Sequence, residues 1–364
     1  MLVFLVQGTV GLCVILGNLF VTYVLVSQKS LQTSTNHLVL SLTIADLLLG
    51  IFIIPFAAIQ ENTKTWQFGL VSCRLWLCLD VWFSTASIYN LLAISFDRFM
   101  AVRQPIKYTI ITSKRIVRIM TFLVWSGSFL LACVLFYLLE MDPDQISEND
   151  CQPSQLPSLY IIFSAVASFI LPALIMVALN IKIFYTVAST SRTTTVLSKQ
   201  GSLRVHRGTP KLHKYSIATT VSKVSEDHHS GDSTTTMVEP RPTIAKLLKQ
   251  SVVFGIIEAK KTNHFFNGRR AARHSLRTEQ RVARTTGIVV GVFVICWIPF
   301  TTFYLLQAYD LCTVKSGCIS TRMFSVAFWL GYLNSAVNPI LYAVFSRDFR
   351  SAFSRILFGQ KHRS

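Results

Sequence analysis

The sequence predicts an all-α membrane protein: a bundle of seven membrane-spanning helices, followed by a short amphipathic helix near the C-terminus. Two observations lead to this fold class. Hydrophobic residues make up 51% of the 364 residues and charged residues only 14%, whereas soluble domains carry about 25% charged residues. Seven apolar segments are also long enough to cross a bilayer, which takes roughly 20 residues each.

The chain is also strongly basic, with 35 Lys and Arg against 17 Asp and Glu and a formal net charge of +18. In a soluble protein this excess would suggest nucleic-acid binding, but a soluble basic protein would not be this apolar. The apolar composition also excludes disorder over most of the chain. We therefore expect the positive charge to mark one side of a membrane, and we expect no nucleic-acid partner.

Apolar runs place the seven spans in order along the chain. The first begins almost at the N-terminus but lacks the basic start and the cleavage site of a signal peptide, so we interpret it as a span. Pro55, Pro172, Pro299 and Pro339 lie inside spans, where neighbouring helices can satisfy the backbone groups that proline leaves free. The predicted spans are Leu2–Val26, His37–Ala58, Leu70–Val102, Ile116–Leu139, Leu159–Val187, Thr285–Ala308 and Met323–Phe345.

Lys and Arg residues near the span ends predict the orientation in the membrane. With the N-terminus outside, only four of the 35 basic residues fall in outer segments: Lys64, Arg74, Lys315 and Arg322. The opposite topology would reverse this bias. We therefore expect a multi-pass plasma-membrane protein with its N-terminus outside and its C-terminus in the cytoplasm.

The spans divide the chain into four parts. Residues 1–189 hold the first five helices and residues 277–345 hold the last two. Residues 190–276 are rich in Ser, Thr, Lys, Arg and His, which predicts a mostly disordered, basic third cytoplasmic loop. In residues 346–364 apolar side chains recur at helical spacing between arginines, which predicts an amphipathic helix on the membrane surface and a short cytoplasmic tail.

Two carboxylates lie at membrane depth, where ionisable side chains are expensive and usually functional. Asp80 follows Cys73 by two helical turns, and Cys73 lies at the outer end of its span. We therefore place Asp80 in the floor of a cavity that opens outward, whereas Asp46 lies deeper. Each could instead be a structural carboxylate that neighbouring hydroxyls satisfy.

Four cysteines fall on the predicted outer side, where thiols oxidise. A bridge between Cys73 and Cys151 would tie the second outer loop to the third helix. Cys312 and Cys318 share the last outer loop and form a second candidate pair.

Motifs distributed over the predicted spans resemble those of the rhodopsin-like G-protein-coupled receptors, and within that family those of the biogenic amine receptors. Each motif alone is weak, but all of them occur in the family's order. They are the Asn18 of GN, the Asp46 of LSLTIAD, Cys73, the DRF of Asp97–Phe99, Trp125, Pro172, the CWIP of Cys296–Pro299 and the NPILY of Asn338–Tyr342.

The resemblance implies a binding site for a small amine. An acid at the position of Asp80 pairs with the ligand's ammonium group, and aromatic side chains surround the cation. Ser164 and Ser168, four residues apart on one helix face, would meet ring hydroxyls; their alternative role is to bond their own backbone. The implied ligand-binding residues are Asp80, Ser84, Ser164, Ser168, Trp297, Phe300, Tyr304, Trp329 and Tyr332.

Two further sites follow from the same resemblance. One is an allosteric sodium site, the only metal site expected, with oxygen ligands that suit a hard cation: Asp46, Ser87, Asn334, Ser335 and Asn338. The other is an activation switch, in which Arg98 pairs with Asp97 and Glu279 at rest. Its remaining members are Ile88, Pro172, Phe293, Trp297 and Tyr342.

Three residues depart from the family's pattern. Thr301 stands where a second aromatic residue usually follows Phe300, Asn180 replaces a tyrosine, and Phe99 replaces the tyrosine of Asp-Arg-Tyr. The first departure leaves the identity of the ligand open, and the second leaves open how the active state is stabilised.

The sequence therefore predicts a receptor for a phenolic or catechol amine, either octopamine, tyramine, dopamine or noradrenaline, with heterotrimeric G proteins as partners. The long third loop suggests the inhibitory class, and arrestin, receptor kinases and membrane lipid are further expected partners. The alternatives are a serotonin receptor, a peptide receptor of the same fold and, in another class, an amine transporter, which would show more spans and repeated halves. The chain shows no catalytic constellation, so we expect neither an enzyme nor a cofactor.

Overall fold

The computed structural model describes residues 2–103, 114–141, 151, 158–206, 284–309, 311–312 and 317–358, and most of them are helical. Seven long helices and one short helix follow each other along these ranges. They are α1 (Leu2–Ser27), α2 (Ser34–Phe52 and Ile54–Thr63), α3 (Leu70–Arg103), α4 (Lys114–Met141), α5 (Ser158–Ser164, Ala165–Ile170 and Leu171–His206), α6 (Arg284–Ala308), α7 (Thr321–Phe345) and α8 (Arg347–Phe358).

This architecture confirms the predicted fold class. The helices α1 to α6 are long and apolar enough to cross a membrane, and α7, with 25 residues, has the length of a span. One predicted boundary is wrong, because α5 remains helical to His206 instead of giving way to a loop at residue 190. Extending a formed helix costs far less than starting one, so polar residues can continue it. Residues 207–276 of the predicted loop lie outside the described residues.

Local sequence signals explain where several helices begin or break. Thr33 caps α2, because its side chain accepts a hydrogen bond from the backbone N–H of Asn36 at 3.3 Å. Ser320 caps α7 in the same way, accepting from the N–H of Met323 at 3.2 Å. Pro55 lies in the first turn of the second segment of α2, where its missing N–H does least harm.

The middle of α5 departs from a regular α-helix, which the sequence did not predict. Residues Ala165–Ile170 form a π-helical turn, in which the N–H of Leu171 donates to the carbonyl of Val166. Pro172 has no N–H, so the carbonyl of Ala167 loses its helical donor. The hydroxyl of Tyr89 on α3 donates to this carbonyl at 3.2 Å and compensates for the loss.

The third helix is the centre of the bundle, since α3 packs against α2, α4 and the π-helical turn of α5. The first helix packs against α2 and α7 through close contacts at glycine. A Cβ atom on Gly50 would lie 2.9 Å from Val14, and one on Gly17 would lie 3.0 Å from Pro339. Such small residues let membrane helices approach closely.

The short helix α8 packs against α1 and α7. Its Phe349 stacks on Tyr342 with ring centroids 5.6 Å apart, and its Phe353 lies 4.8 Å from Phe20. The apolar side of α8 therefore faces the bundle, and arginines such as Arg350 are exposed. Around the bundle many large apolar side chains point outward, as a lipid-facing surface requires; examples are Leu16, Phe122 and Phe184.

Candidate ligand-binding cavity

Two disulfides mark one end of the bundle, which we call the disulfide end. Cys73 at the start of α3 is bonded to Cys151, with Cα atoms 5.8 Å apart, and Cys312 is bonded to Cys318, with Cα atoms 5.3 Å apart. Both predicted pairs therefore form. Gln60 of α2 also donates a hydrogen bond to the carbonyl of Cys151, which helps to hold this part of the second loop against the bundle.

A cavity lies among α3, α5, α6 and α7. Its walls combine apolar side chains with a few polar groups, as small-molecule sites do. Eight of the nine predicted ligand-binding residues line it: Asp80, Ser84, Ser164, Ser168, Trp297, Phe300, Tyr304 and Tyr332.

Among the residues that the structure describes, Asp80 is the only acidic one in the lining of this cavity. Its Oδ1 atom accepts two hydrogen bonds, from the hydroxyls of Ser84 and Tyr332, each at 3.1 Å. Its Oδ2 atom accepts none from the described residues, and Asp80 has no ion-pair partner among them. The half-buried carboxylate thus keeps one oxygen open toward the cavity. A charge in such a position is stable only when a counter-charge or further donors compensate for lost water.

Hydroxyl groups line the cavity on the side of α5. Ser168 accepts a hydrogen bond from Thr85 of α3 at 3.0 Å, which joins α3 to the π-helical turn. Ser164 donates to the backbone carbonyl of Ile161 at 3.1 Å. Both serines face the cavity, and both already have partners within the protein.

Aromatic rings form the side of the cavity that faces α6 and α7. Trp297 stacks against Phe169 with ring centroids 6.2 Å apart and meets Phe300 edge-on at 6.1 Å. Phe300 in turn stacks on Tyr304 at 5.2 Å and contacts Phe328 at 5.7 Å. Together these rings form a continuous surface that a flat apolar group can contact.

Trp329 is the ninth predicted ligand-binding residue, and it does not line the cavity. Its ring packs edge-on against Tyr332, with centroids 5.8 Å apart. Phe328 lines the cavity instead, because it precedes Tyr332 by four residues and shares its helix face.

Seven cavity residues were absent from the predicted set. Helical spacing from known members indicates most of them: Phe328 lies four residues before Tyr332, and Thr301 lies four residues after Trp297. Ile88, predicted as a switch residue, also reaches the cavity. The residues missed are Leu77, Val81, Thr85, Ala165, Phe169, Thr301 and Phe328.

Asp46 is the centre of a second polar cluster, deeper in the bundle. It is fully buried, and its Oδ1 atom accepts hydrogen bonds from Ser87 and Ser335, each at 2.8 Å. Its Oδ2 atom accepts one from Asn338 at 2.9 Å. Asn334, also predicted for this site, is buried nearby on α7 but does not bond to Asp46. One carboxylate with hydroxyl and amide oxygens is a donor set that fits a hard monovalent cation.

Comparison with known proteins identifies the family. Residues 17–342 match the model of the seven-transmembrane receptors of the rhodopsin family. This chain belongs to that family. Its members are receptors and not enzymes, and the chain is accordingly a multi-pass membrane receptor.

Named relatives place the receptor more closely. It is 33% identical to the probable G-protein coupled receptor No9 of Amphibalanus amphitrite, over 95% of this chain and 84% of the relative. It is 32% identical to the octopamine receptor beta-1R of Drosophila melanogaster, over 96% of this chain but 60% of the relative. It is 33% identical to the alpha-1A adrenergic receptor of Oryzias latipes, over 97% of this chain and 66% of the relative. The receptor thus spans less than two thirds of the last two proteins.

The structure describes part of the predicted switch of this receptor. Asp97 is buried and accepts a hydrogen bond from Thr35 of α2 at 2.7 Å, so this carboxylate ties α3 to α2. Its pairing with Arg98 in the resting receptor stays a prediction. Glu279, the other predicted partner of Arg98, lies outside the described residues.

The remaining switch residues of the receptor lie along its core. Phe293 is fully buried, contacts Phe169 at 5.5 Å and shares an apolar cluster with Ile88 and Tyr342. Pro172 lies two residues after the end of the π-helical turn. The structure thus brings Ile88 and Phe293 together beneath Trp297, at the junction between the cavity and the half of the bundle that carries Arg98.

Proposed function

We propose that this receptor binds a biogenic amine, namely a phenolic or catechol amine such as octopamine, tyramine, dopamine or noradrenaline, and signals through heterotrimeric G proteins. The single observation that carries the proposal is the open Oδ2 atom of Asp80 in a mostly apolar cavity. A compact ammonium group supplies both the positive charge and the hydrogen-bond donors that this oxygen lacks.

The shape of the ligand follows from the rest of the cavity. The ammonium group pairs with Asp80 on α3, and the flat ring lies against the aromatic surface formed by Trp297 and Phe300. Ser164 and Ser168 on α5 then meet hydroxyl groups on the ring. The names of the octopamine and adrenergic relatives support the same class of ligand. Serotonin is the alternative, because one such serine can meet the hydroxyl of an indole.

The membrane orientation follows from charge. The N-terminus and the disulfide end face outward, which opens the cavity to extracellular amines and keeps the bridges in an oxidising compartment. The end that carries Arg98, Arg103 and Lys182 faces the cytoplasm, where the G protein binds. The basic residues between α5 and α6 contact the same partner and anionic lipid. The length of that segment favours the inhibitory class of G protein, and arrestin and receptor kinases act on the same side.

We also propose that the Asp46 cluster holds an allosteric sodium ion in the resting receptor. Ser87, Asn334, Ser335 and Asn338 supply the neutral oxygen atoms. With sodium bound, Asp46 would supply the negative charge and the hydroxyl oxygens of Ser87 and Ser335 would be among the neutral ligands. An agonist that favours the active arrangement is then opposed by sodium, because each shifts the population toward a different state.

A panel of amines tests the proposed function. Cells that express the full chain receive octopamine, tyramine, dopamine, noradrenaline or serotonin, and both cAMP and calcium are recorded, with untransfected cells as the control. We expect a phenolic or catechol amine to act at the lowest concentration and to lower cAMP. If no amine changes cAMP or calcium in cells whose surface labelling shows the receptor, the proposal is contradicted and a peptide ligand is favoured.

A further inference from the structure

The hydroxyl group of Thr301 has an unusual position in the cavity. Thr301 lines the cavity and is only 7% exposed, yet its hydroxyl makes no hydrogen bond in the part of the chain that the structure describes. A buried hydroxyl in a helix ordinarily bonds to the carbonyl four residues earlier. The neighbouring Thr302 does so, donating to the carbonyl of Ile298 at 2.8 Å. The Thr301 hydroxyl therefore remains available within the cavity.

Four other hydroxyls that line the cavity have partners within the described residues. Those of Ser84 and Tyr332 donate to Asp80, that of Thr85 donates to Ser168, and that of Ser164 donates to a backbone carbonyl. The Thr301 hydroxyl has no partner among the described residues and lies in the cavity wall, where a ligand or a water molecule can complete its hydrogen bonding.

The position of Thr301 indicates which part of a ligand it meets. It follows Trp297 by four residues and shares its helix face, and Trp297 stacks on Phe169, the residue next to Ser168. A ring that lies over Trp297 and points a substituent at Ser168 therefore brings that substituent to the Thr301 side of the cavity. The small threonine also leaves room between α5 and α6 that an aromatic residue would fill.

We infer that Thr301 is a specificity-determining residue, whose hydroxyl binds a hydroxyl substituent on the ligand's ring from the α6 side. This inference rests on the proposed function and adds a recognition group to it. Together with Ser164 and Ser168 on α5, Thr301 lets the receptor hold a ring hydroxyl as both donor and acceptor.

The test compares two amines that differ by one ring hydroxyl, tyramine and phenethylamine, in binding to membranes that carry the full chain. Thr301→Val keeps the shape of the side chain and removes its hydroxyl. This variant should bind tyramine about tenfold more weakly, which is the upper range for the loss of one neutral hydrogen bond. Its affinity for phenethylamine should stay almost unchanged. Thr301→Ser should retain the wild-type preference for tyramine. The matched control Thr302→Val should change the affinity for neither amine.

Two results would overturn the inference. Equal weakening of both amines by Thr301→Val would assign Thr301 to packing alone, and unchanged tyramine binding would show that the hydroxyl does not meet the ligand. The variant Asp80→Ala shows whether such a result concerns only Thr301 or also the proposed function. If the wild type binds both amines and Asp80→Ala binds neither, the proposed function stands and only the role of Thr301 is lost. If the wild type binds neither amine, both proposals fall.

Discussion

Asp46 and Asp80 are carboxylates of the same helix bundle, and their surroundings differ. Asp46 is fully buried, and three side chains donate to its two oxygens. Asp80 borders the cavity among α3, α5, α6 and α7, and both of its donors bond to the same oxygen. A carboxylate with donors at both oxygens holds helices together or receives at most a small ion. A carboxylate with an open oxygen beside a cavity retains the capacity to bind a larger cation.

The comparison predicts its largest effect for the variant Asp80→Ala, which should lose most of its affinity for amines. Removing one partner of a buried charge pair costs about 3–5 kcal/mol, so amine affinity should fall by at least about a hundredfold. Because Asp80 has only two donors within the protein, surface expression should stay close to that of the wild type. Competition binding and surface antibody labelling measure the two quantities. Unchanged amine affinity in this variant would remove Asp80 from the ligand site.

Asp46→Ala should have the opposite profile. It leaves the donors Ser87, Ser335 and Asn338 without their acceptor, and we expect the free energy of unfolding to fall by about 2–3 kcal/mol. Thermal denaturation of the detergent-solubilised receptor measures this loss. Amine affinity should change less than in Asp80→Ala and should no longer depend on sodium. A variant that keeps its thermal stability but loses amine binding would reverse the roles we assign to the two carboxylates.

Two matched substitutions, each of which removes one hydroxyl group, sharpen the comparison. Tyr332→Phe removes one donor to Asp80, and Ser335→Ala removes one donor to Asp46. Each should cost about 1 kcal/mol. In Tyr332→Phe the loss should appear as an amine affinity about fivefold lower, and in Ser335→Ala as a lower melting temperature. If both variants changed the same property, the two carboxylates would not be functionally distinct.

The smallest effect concerns the serines on α5. We expect the double variant Ser164→Ala, Ser168→Ala to bind tyramine about threefold more weakly, with a smaller loss of affinity for phenethylamine. The effect is modest because a typical net hydrogen bond is worth about 1 kcal/mol, and both hydroxyls already have partners in Ile161 and Thr85. Competition binding with both amines gives the ratio. Equal losses for the two ligands would indicate a structural role for the serines.

Much of this architecture could be predicted from the sequence, because the bilayer imposes length and apolarity on each span. The group around Asp46 was also predictable as a set, since its members belong to motifs that recur in the family. Thr85 and Phe328 were missed, although Thr85 precedes Ile88 by three residues and Phe328 precedes Tyr332 by four, and both spacings share a helix face. The choice between Phe328 and Trp329 depends on the rotation of α7, which a span prediction does not determine.

Other features depend on contacts between distant residues and are not visible in a linear sequence. Pro172 signals an irregular helix, but the π-helical turn also depends on Tyr89 of α3 to satisfy the Ala167 carbonyl. The hydrogen bond from Thr35 of α2 to Asp97 of α3 likewise joins residues 62 positions apart, and the sequence did not predict it. In both cases the direction in which a side chain or carbonyl points decides its partner.

The seventh helix links the two carboxylates. Tyr332 donates to Asp80, and one turn later Ser335 donates to Asp46, so a single helix carries a donor to each site. If an amine at Asp80 shifts α7 and thereby alters the affinity of Asp46 for sodium, thermodynamic linkage requires sodium to alter the affinity for the amine by the same factor. The sodium concentration of the medium would then act as a second effector. Each amine affinity measured for this receptor would hold only at the sodium concentration of that measurement.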